Sequence, residues 1–137
     1  MRVMIDTNVL LDVMLEREPF LKDSEFFLRL CEEKKIDGVV SASCLKDIFY
    51  LVRRHTGSKE DAYRVIGKIL DIVSVASVTQ DDIMSAFQSR AKDFEDAVVV
   101  YSAISNQCHC IVTRNVSDYE DFGIEAIEPS FFASSDK

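Results

Sequence analysis

Apolar residues along this chain fall into two patterns, short continuous runs and longer stretches with helical spacing. The short runs predict strands at residues 2–5, 39–40, 72–78, 110–113 and 124–127. Apolar positions three and four residues apart predict helices at residues 7–15, 19–35, 43–55, 58–70, 79–90 and 94–107. Strands that alternate with helices indicate an α/β fold. We therefore expect a three-layer sandwich with a central, mostly parallel sheet of four or five strands flanked by helices.

The length and composition favour a single domain. The chain has 137 residues, of which 47% are hydrophobic and 29% charged, and it shows no repeat or linker. We therefore expect one continuous domain over residues 1–137. No apolar run approaches the roughly 20 residues of a membrane span. The apolar run at the start is too short for a signal peptide, so we expect a cytoplasmic protein with no membrane contact.

The charge is unevenly distributed along the chain. The net charge is -8, and residues 71–137 carry 4 basic and 12 acidic side chains, whereas residues 1–70 carry 12 of each. This balance excludes a broadly basic surface of the kind that coats nucleic acid. Any contact with nucleic acid would have to be local.

Four carboxylates are predicted to lie at one edge of the sheet. Asp6 directly follows the first strand, Asp47 and Asp96 lie in the first turns of helices, and Asp118 follows the strand that ends at Thr113. In a parallel α/β sheet, the strand ends and helix starts share the edge where ligands bind. Sites rich in carboxylate oxygens suit Mg²⁺ or Mn²⁺, and those ions suit phosphate chemistry.

Each carboxylate also has a structural explanation. Asp6 is a favourable N-cap for the helix that follows it. Asp47 shares a helix side with polar residues, and Asp118 lies in a charged stretch, so both also fit solvated surface acids. Asp96 lies on an almost wholly apolar helix, where a carboxylate is costly unless it is paired, bound to a metal or at the rim. There it could also serve a cap formed with Asp93.

Three segments, in this order, resemble the motifs of PIN-domain nucleases. Residues 3–12, Val-Met-Ile-Asp-Thr-Asn-Val-Leu-Leu-Asp, resemble the opening of that family. Residues 94–97, Phe-Glu-Asp-Ala, resemble its third acidic motif, and residues 111–119, Ile-Val-Thr-Arg-Asn-Val-Ser-Asp-Tyr, its fourth. The resemblance covers essentially the whole chain and is nearest to small bacterial toxins of the VapC type.

The resemblance implies a metal-dependent endoribonuclease. Asp6, Asp96 and Asp118 match the carboxylates that hold Mg²⁺ or Mn²⁺, and Asp47 stands where the family commonly has Glu. RNA would be hydrolysed to 5′-phosphate and 3′-hydroxyl ends. The resemblance also implies a homodimer and a cognate antitoxin, which we expect in a groove beside the first helices.

The same motifs imply supporting roles for neighbouring polar residues. Thr7 and Asn8 complete the first motif and are expected to support the site or the substrate. Thr113 and Asn115 match residues that order the fourth acidic residue or the attacking water. Tyr119 stands where Phe is more usual.

A basic stretch is the expected place for RNA phosphates. Residues 53–68 hold five basic and two acidic side chains, and Arg53 and Arg54 begin the stretch. An RNA contact and a solvated helix face both explain these charges. Arg114 could hold a phosphate or form a salt bridge with Asp118 or Glu120.

Two other classes of function remain compatible with the sequence. One is a catalytically weak PIN-like binding module, which Asp47 in the usual Glu position favours. The other is a Mg²⁺-dependent small-molecule phosphohydrolase. The DxD that haloacid-dehalogenase-type phosphatases carry at a strand end is missing here, because Thr7 and Asn8 follow Asp6.

Overall fold

The computed structural model describes residues 1–135, and its centre is a five-stranded sheet in which all neighbouring strands run parallel. The strands are β1 (Arg2–Ile5), β2 (Asp37–Ser41), β3 (Ser74–Ala76), β4 (Cys110–Val112) and β5 (Glu125–Ile127). The helices are α1 (Thr7–Met14), α2 (Leu21–Glu32), α3 (Ala42–Thr56), α4 (Lys59–Ile72), α5 (Gln80–Ser89), α6 (Phe94–Ser105) and α7 (Ser130–Ser135). A 3-10 helix, Val116–Phe122, connects β4 to β5.

The first strand lies in the middle of the sheet and of the core. Val3, Met4 and Ile5 have no exposed surface, as expected for a strand covered on both faces. On one side, α1 to α4 pack mainly against one another, and on the other α6 packs against α5 and lies over β1, β2 and β4. The expected three-layer α/β sandwich is therefore confirmed.

The strand order brings two strand ends together where the site forms. The order across the sheet is β3-β2-β1-β4-β5, so the chain adds strands to one side of β1 and then to the other. Such a reversal leaves a crevice beyond the carboxyl ends of the two strands that flank it, here β1 and β4. The backbone N–H of Asp6 donates to the carbonyl of Val112 at 2.9 Å. Asp6 and Thr113, which directly follow β1 and β4, are therefore neighbours at this edge of the sheet.

A glycine allows β2 to approach α2 closely. A Cβ at Gly38 would lie 2.7 Å from the Sγ of Cys31 and 3.0 Å from the Cδ1 of Ile5. Both neighbours are buried, so neither has room to move away. Gly38 therefore sets the distance between the sheet and this helix.

The structure corrects several predicted element boundaries. The second helix begins at Leu21 and ends at Glu32, because Pro19 and Phe20 lie in a turn. The third strand is only Ser74–Ala76, because α4 continues through Ile72. The 3-10 helix and α7 were not predicted. Val116, Tyr119 and Phe122 lie three residues apart, a period that fits a 3-10 helix and not an α-helix.

Side chains cap the starts of several helices, and the caps expected at Asp6 and Asp93 are confirmed. Asp6, Ser58 and Thr79 each accept a hydrogen bond from a backbone N–H in the first turn of the following helix. Asp93 does the same at α6. Within residues 1–135, no helix is both long and apolar enough to cross a membrane.

Candidate active site

Asp6 is held by hydrogen bonds from three segments of the chain. Its Oδ1 accepts the backbone N–H of Thr7 at 2.8 Å, which makes it the N-cap of α1. Its Oδ2 accepts the hydroxyls of Thr113 at 2.8 Å and Tyr119 at 3.0 Å. The amide of Asn8 lies 3.4 Å from the same oxygen. The cap explanation for Asp6 is therefore correct, and it coexists with a place at the sheet edge.

Asp96 faces Asp6 from the first turn of α6. Its backbone N–H donates to Asp93 Oδ1 at 3.0 Å, and the Tyr119 hydroxyl donates to its Oδ1 at 3.4 Å. Burial raises the pKa of Asp96 to about 6, and the charges of Asp93, Asp6 and Asp118 add to the effect, while the bond from Tyr119 opposes it. The carboxylates therefore repel one another, and a cation would relieve this repulsion.

Tyr119 is a candidate functional residue to which the sequence alone assigned no role. The side chain is 1% exposed, and its hydroxyl lies between the carboxylates of Asp6 and Asp96. Burial and these two charges raise the pKa of Tyr119 above its ordinary value, so the hydroxyl remains a donor. The sequence showed only that Tyr stands where Phe is more usual, and no spacing pointed to the contact.

Two cavities meet at Asp96. The first, of about 400 Å³, is lined by Asp6, Asp47 and Asp96 together with apolar side chains from α3, α5 and α6. The second, of about 580 Å³, is lined by Asp96 and Asp118. Asp96 thus lines both cavities, with Asp6 and Asp47 in the first and Asp118 in the second. Asp47 is also 3.6 Å from Lys46 Nζ, and Lys46 is another residue of the first cavity.

The loop after β4 is organised by polar residues of the predicted motifs. Thr113 Oγ1 accepts the backbone N–H of Asn115 at 3.0 Å, and Asn8 Oδ1 accepts that of Arg114 at 3.2 Å. The carbonyl of Asn115 accepts the N–H of Asp118 at 3.0 Å. Thr113 and Asn8 thus tie this loop to Asp6, whereas Asn115 shapes it through its backbone and lines a separate cavity.

The structure shows a different partner for Arg114 from the acids predicted, Asp118 and Glu120. Its guanidinium forms a two-point salt bridge with Asp12, a residue of α1 with no exposed surface, and lies 3.9 Å from the ring centre of Phe20. A buried carboxylate needs a charged partner, and Asp118 lies exposed in solvent. The signal in the sequence was Asp12 itself, an acid inside an apolar helix run.

Arg53 and Arg54 lie at the surface in the last turn of α3. Neither residue lines either cavity at Asp96. Lys46, seven residues or about two turns before Arg53 on α3, is the basic side chain in the first cavity. The two arginines thus lie outside the cavities that the four carboxylates line.

The donors of this crevice suit a hard divalent cation. Burial raises the pKa of Cys44, in the wall of the first cavity, to about 11, and the charges of Asp6 and Asp47 add to the shift. The thiol is therefore protonated at neutral pH, and the crevice offers carboxylate oxygens as its charged donors. Among the described residues, no three His, Cys, Asp or Glu side chains are already closed around a common point.

Comparison with known proteins identifies the family. A family model of the PIN domain matches residues 2–117, most of the chain. The chain belongs to the PIN domain family. A comparison of this PIN domain with curated protein sequences finds no significant match.

Solved structures of VapBC proteins and a VapC toxin share the fold of this PIN domain. A chain of VapBC2 from Rickettsia felis, bound to a promoter DNA fragment, is 16% identical, with a TM-score of 0.75 over 93% of this chain and 98% of that one. A chain of DNA-bound VapBC from Salmonella typhimurium is 17% identical, with a TM-score of 0.75 over 94% of this chain and 98% of that one. Mycobacterium tuberculosis VapC20, a Sarcin-Ricin loop cleaving toxin, is 18% identical, with a TM-score of 0.62 over 80% of this chain and 86% of that one. At these identities the likeness establishes the fold.

Proposed function

We propose that this PIN domain is a metal-dependent endoribonuclease, acting in the cytoplasm as the toxin of a toxin–antitoxin pair. One observation carries the proposal. Asp6 and Asp96, on different elements, share a hydroxyl within 3.4 Å at the crevice between β1 and β4. Family membership and the fold shared with VapC20, a toxin that cleaves the Sarcin-Ricin loop, support it.

Asp6, Asp96 and Asp118 are the residues that would hold Mg²⁺ or Mn²⁺. The bound ion would lower the pKa of a water molecule and offset negative charge on the reacting phosphate. Asp6 Oδ1 accepts one hydrogen bond, from the N–H of Thr7, and so keeps a lone pair for the cation, whereas Oδ2 faces the donors of Thr113, Tyr119 and Asn8. The donor set therefore fits the cation.

The chain's own groups supply orientation for the reaction. Thr7, Asn8 and Thr113 fix the carboxylate of Asp6, and Asn115 holds the backbone before Asp118. Asp47, which also lines the first cavity, would orient the water that attacks phosphorus. The side chain of Asp is one carbon shorter than that of Glu, so a bridging water would connect the Asp47 carboxylate to the metal.

Water is the proposed nucleophile, and this choice fixes the products. The oxygen of water bonds to phosphorus while the bond from phosphorus to the 3′ oxygen breaks. The attacking water gives up one proton and the leaving oxygen takes one, giving a 3′-hydroxyl on one fragment and a 5′-phosphate on the other. Attack by the ribose 2′-hydroxyl would instead give a 2′,3′-cyclic phosphate.

RNA would meet positive charge near the crevice and not across the whole surface. Lys46 borders the carboxylates, and Arg53 and Arg54 continue the basic surface towards the end of α3. Because the net charge is -8, we expect weak binding that depends strongly on salt.

A protein partner is proposed from the VapBC complexes that share the fold. We propose that a cognate antitoxin covers the crevice from a groove beside α1 and α2, and that the chain forms a homodimer. Size-exclusion chromatography of the chain alone, and of the chain co-expressed with a candidate antitoxin, tests both statements. A monomer that retains no partner would contradict them.

A catalytically weak binding module is the second candidate. Asp47 in place of the usual Glu favours it. Such a module would bind RNA without cutting it.

Cleavage of a mixed RNA pool with Mn²⁺ tests the proposed function. Wild type should cut and Asp96→Asn should not, because the substitution removes one metal-binding oxygen and its charge. Asp71→Asn is the matched control, since Asp71 is exposed on α4 and lines neither cavity. Equal cleavage by all three proteins, or none by wild type, would contradict an enzyme centred on Asp96. Turnover of a chromogenic phosphate monoester without RNA cleavage would favour the phosphohydrolase.

A further inference from the structure

The hydroxyl of Tyr119 connects two carboxylates that come from distant parts of the chain. It donates to Asp6 Oδ2 at 3.0 Å and lies 3.4 Å from Asp96 Oδ1. Asp6 ends β1, Asp96 begins α6, and Tyr119 comes from the 3-10 helix. A phenol carries one proton, so the two carboxylates share a single donor.

The ring of Tyr119 is fixed independently of its hydroxyl. The side chain is 1% exposed, and it belongs to the main hydrophobic core. Phe122 lies one 3-10 turn away, with ring centres 6.4 Å apart. A side chain held in this way presents its hydroxyl at one point in space, and the position of that point is set by the core and not by the carboxylates.

We propose that Tyr119 is a positioning residue for the metal site, and that its hydroxyl sets the separation of the Asp6 and Asp96 carboxylates so that both face one divalent cation. The inference rests on the proposed function in taking these two carboxylates as metal ligands. It adds a residue to which no role at this site has been assigned.

The physical reason lies in the repulsion between the two acids. Two carboxylates facing the same crevice move apart unless a donor or a cation lies between them. A neutral donor reduces the repulsion without contributing a charge that would compete with the cation. Groups that hydrogen-bond metal-binding carboxylates orient them, and loss of such a group typically weakens metal binding about 10- to 100-fold.

Calorimetric titration of the metal-free protein with Mn²⁺ at neutral pH tests the inference. The variant is Tyr119→Phe, which keeps the buried ring and removes only the hydroxyl. Its dissociation constant for Mn²⁺ should rise about tenfold over wild type. Tyr63→Phe is the matched control, because Tyr63 is 64% exposed, its ring contacts Phe49, and it lines neither cavity at Asp96. This control should bind like wild type.

Each other outcome identifies which statement is wrong. A Tyr119→Phe protein that binds Mn²⁺ as tightly as wild type, or more tightly, would overturn the positioning role and leave the proposed function standing. A wild type whose Mn²⁺ binding is absent, or unaffected by Asp96→Asn, would contradict the proposed function and the inference with it. Circular dichroism of the metal-free proteins reports folding. A Tyr119→Phe chain that did not fold would also overturn the inference, because the hydroxyl would then be a requirement of the core.

Discussion

At the scale of single residues, Asp96 combines a favourable backbone hydrogen bond with an unfavourable side-chain charge. The cap formed by Asp93 stabilises the start of α6, while burial and the neighbouring acids disfavour the ionised side chain of Asp96. Without a cation, the ionised carboxylate therefore costs folding free energy. We expect the metal-free protein to be destabilised where this acid ionises.

The sign of this effect predicts a pH dependence in the presence of a chelator. The pKa of Asp96 is about 6 in the folded protein and near its ordinary 3.8 in the unfolded chain. Between these values the folded state binds more protons, so the free energy of unfolding falls as pH rises and then levels off above about 6. Asn has no such ionisation. Asp96→Asn should therefore melt like wild type near pH 4 and at a higher temperature than wild type above pH 6.

Added Mn²⁺ should reverse the order of the two proteins at neutral pH. Wild type gains stability from binding the ion, whereas Asp96→Asn gains little. Thermal melting with chelator and with Mn²⁺, over a range of pH, provides the measurement. A variant that is less stable than wild type in chelator at every pH would contradict the proposed electrostatics.

At the scale of elements, a buried salt bridge joins α1 to the loop that follows β4. Asp12 is fully buried, and Arg114 follows Thr113, which contacts Asp6. Two ends of the crevice are thus joined by a contact outside it. Loss of this pair would loosen the loop that carries Asp118.

Removing the charge of Asp12 should destabilise the fold. Asp12→Asn leaves Arg114, with 24% of its side chain exposed, without a charged partner, and we expect a loss of about 3 kcal/mol in the free energy of unfolding. Asp37→Asn is the control, because it removes a solvent-exposed pair with Arg2 and should cost less than about 1 kcal/mol. Urea unfolding measures both. Equal small losses would show that the Asp12 pair contributes little.

Two glycines offer a second matched pair. Gly38→Ala brings a methyl group against buried Cys31, and overpacking of this kind costs about 1–3 kcal/mol. Gly67→Ala, on α4, meets no atom within 4 Å and should stabilise the protein by about 0.5–1 kcal/mol. Urea unfolding of the two variants gives the difference. A stabilised Gly38→Ala protein would contradict the close approach of β2 and α2.

The sequence predicted the elements that depend on local pattern and missed contacts that depend on the whole fold. The Asp6 and Asp93 caps follow from residue type and position. The 3-10 helix has a period of three within a charged stretch, and its spacing became informative only with the structure. The Arg114 partner could not be found locally, because Asp12 is 102 residues away in sequence. Arg114 pairs with Asp12 and not with a nearer acid because Asp12 is buried and needs a charged partner.

At the scale of the whole molecule, the net negative charge opposes RNA binding, whereas the negative charge at the crevice favours binding of the proposed cation. The chain carries -8, and part of this charge surrounds the crevice, where a cation would neutralise it. RNA binding would then rely on basic side chains along α3.

The contribution of α3 can be tested by charge reversal. Arg53→Glu with Arg54→Glu should weaken RNA binding and flatten its dependence on salt, because fewer counterions are released. Lys34→Glu with Lys35→Glu is the control for net charge, since both residues are exposed and follow α2. Binding to labelled RNA at several salt concentrations, with Asp96→Asn as the background, gives the slopes. Identical slopes for the two charge reversals would remove α3 from the RNA surface.

The central claim is hydrolysis of RNA by water at the Asp6–Asp96 crevice. RNA cleaved in ¹⁸O-water with Mn²⁺, followed by mass spectrometry of the fragments, tests it most directly. Wild type should place one ¹⁸O in the 5′-phosphate of the downstream fragment and leave an unlabelled 3′-hydroxyl, and Asp96→Asn should give no fragments. Fragments that end in a 2′,3′-cyclic phosphate, or labelled cleavage that persists in Asp96→Asn, would contradict the claim.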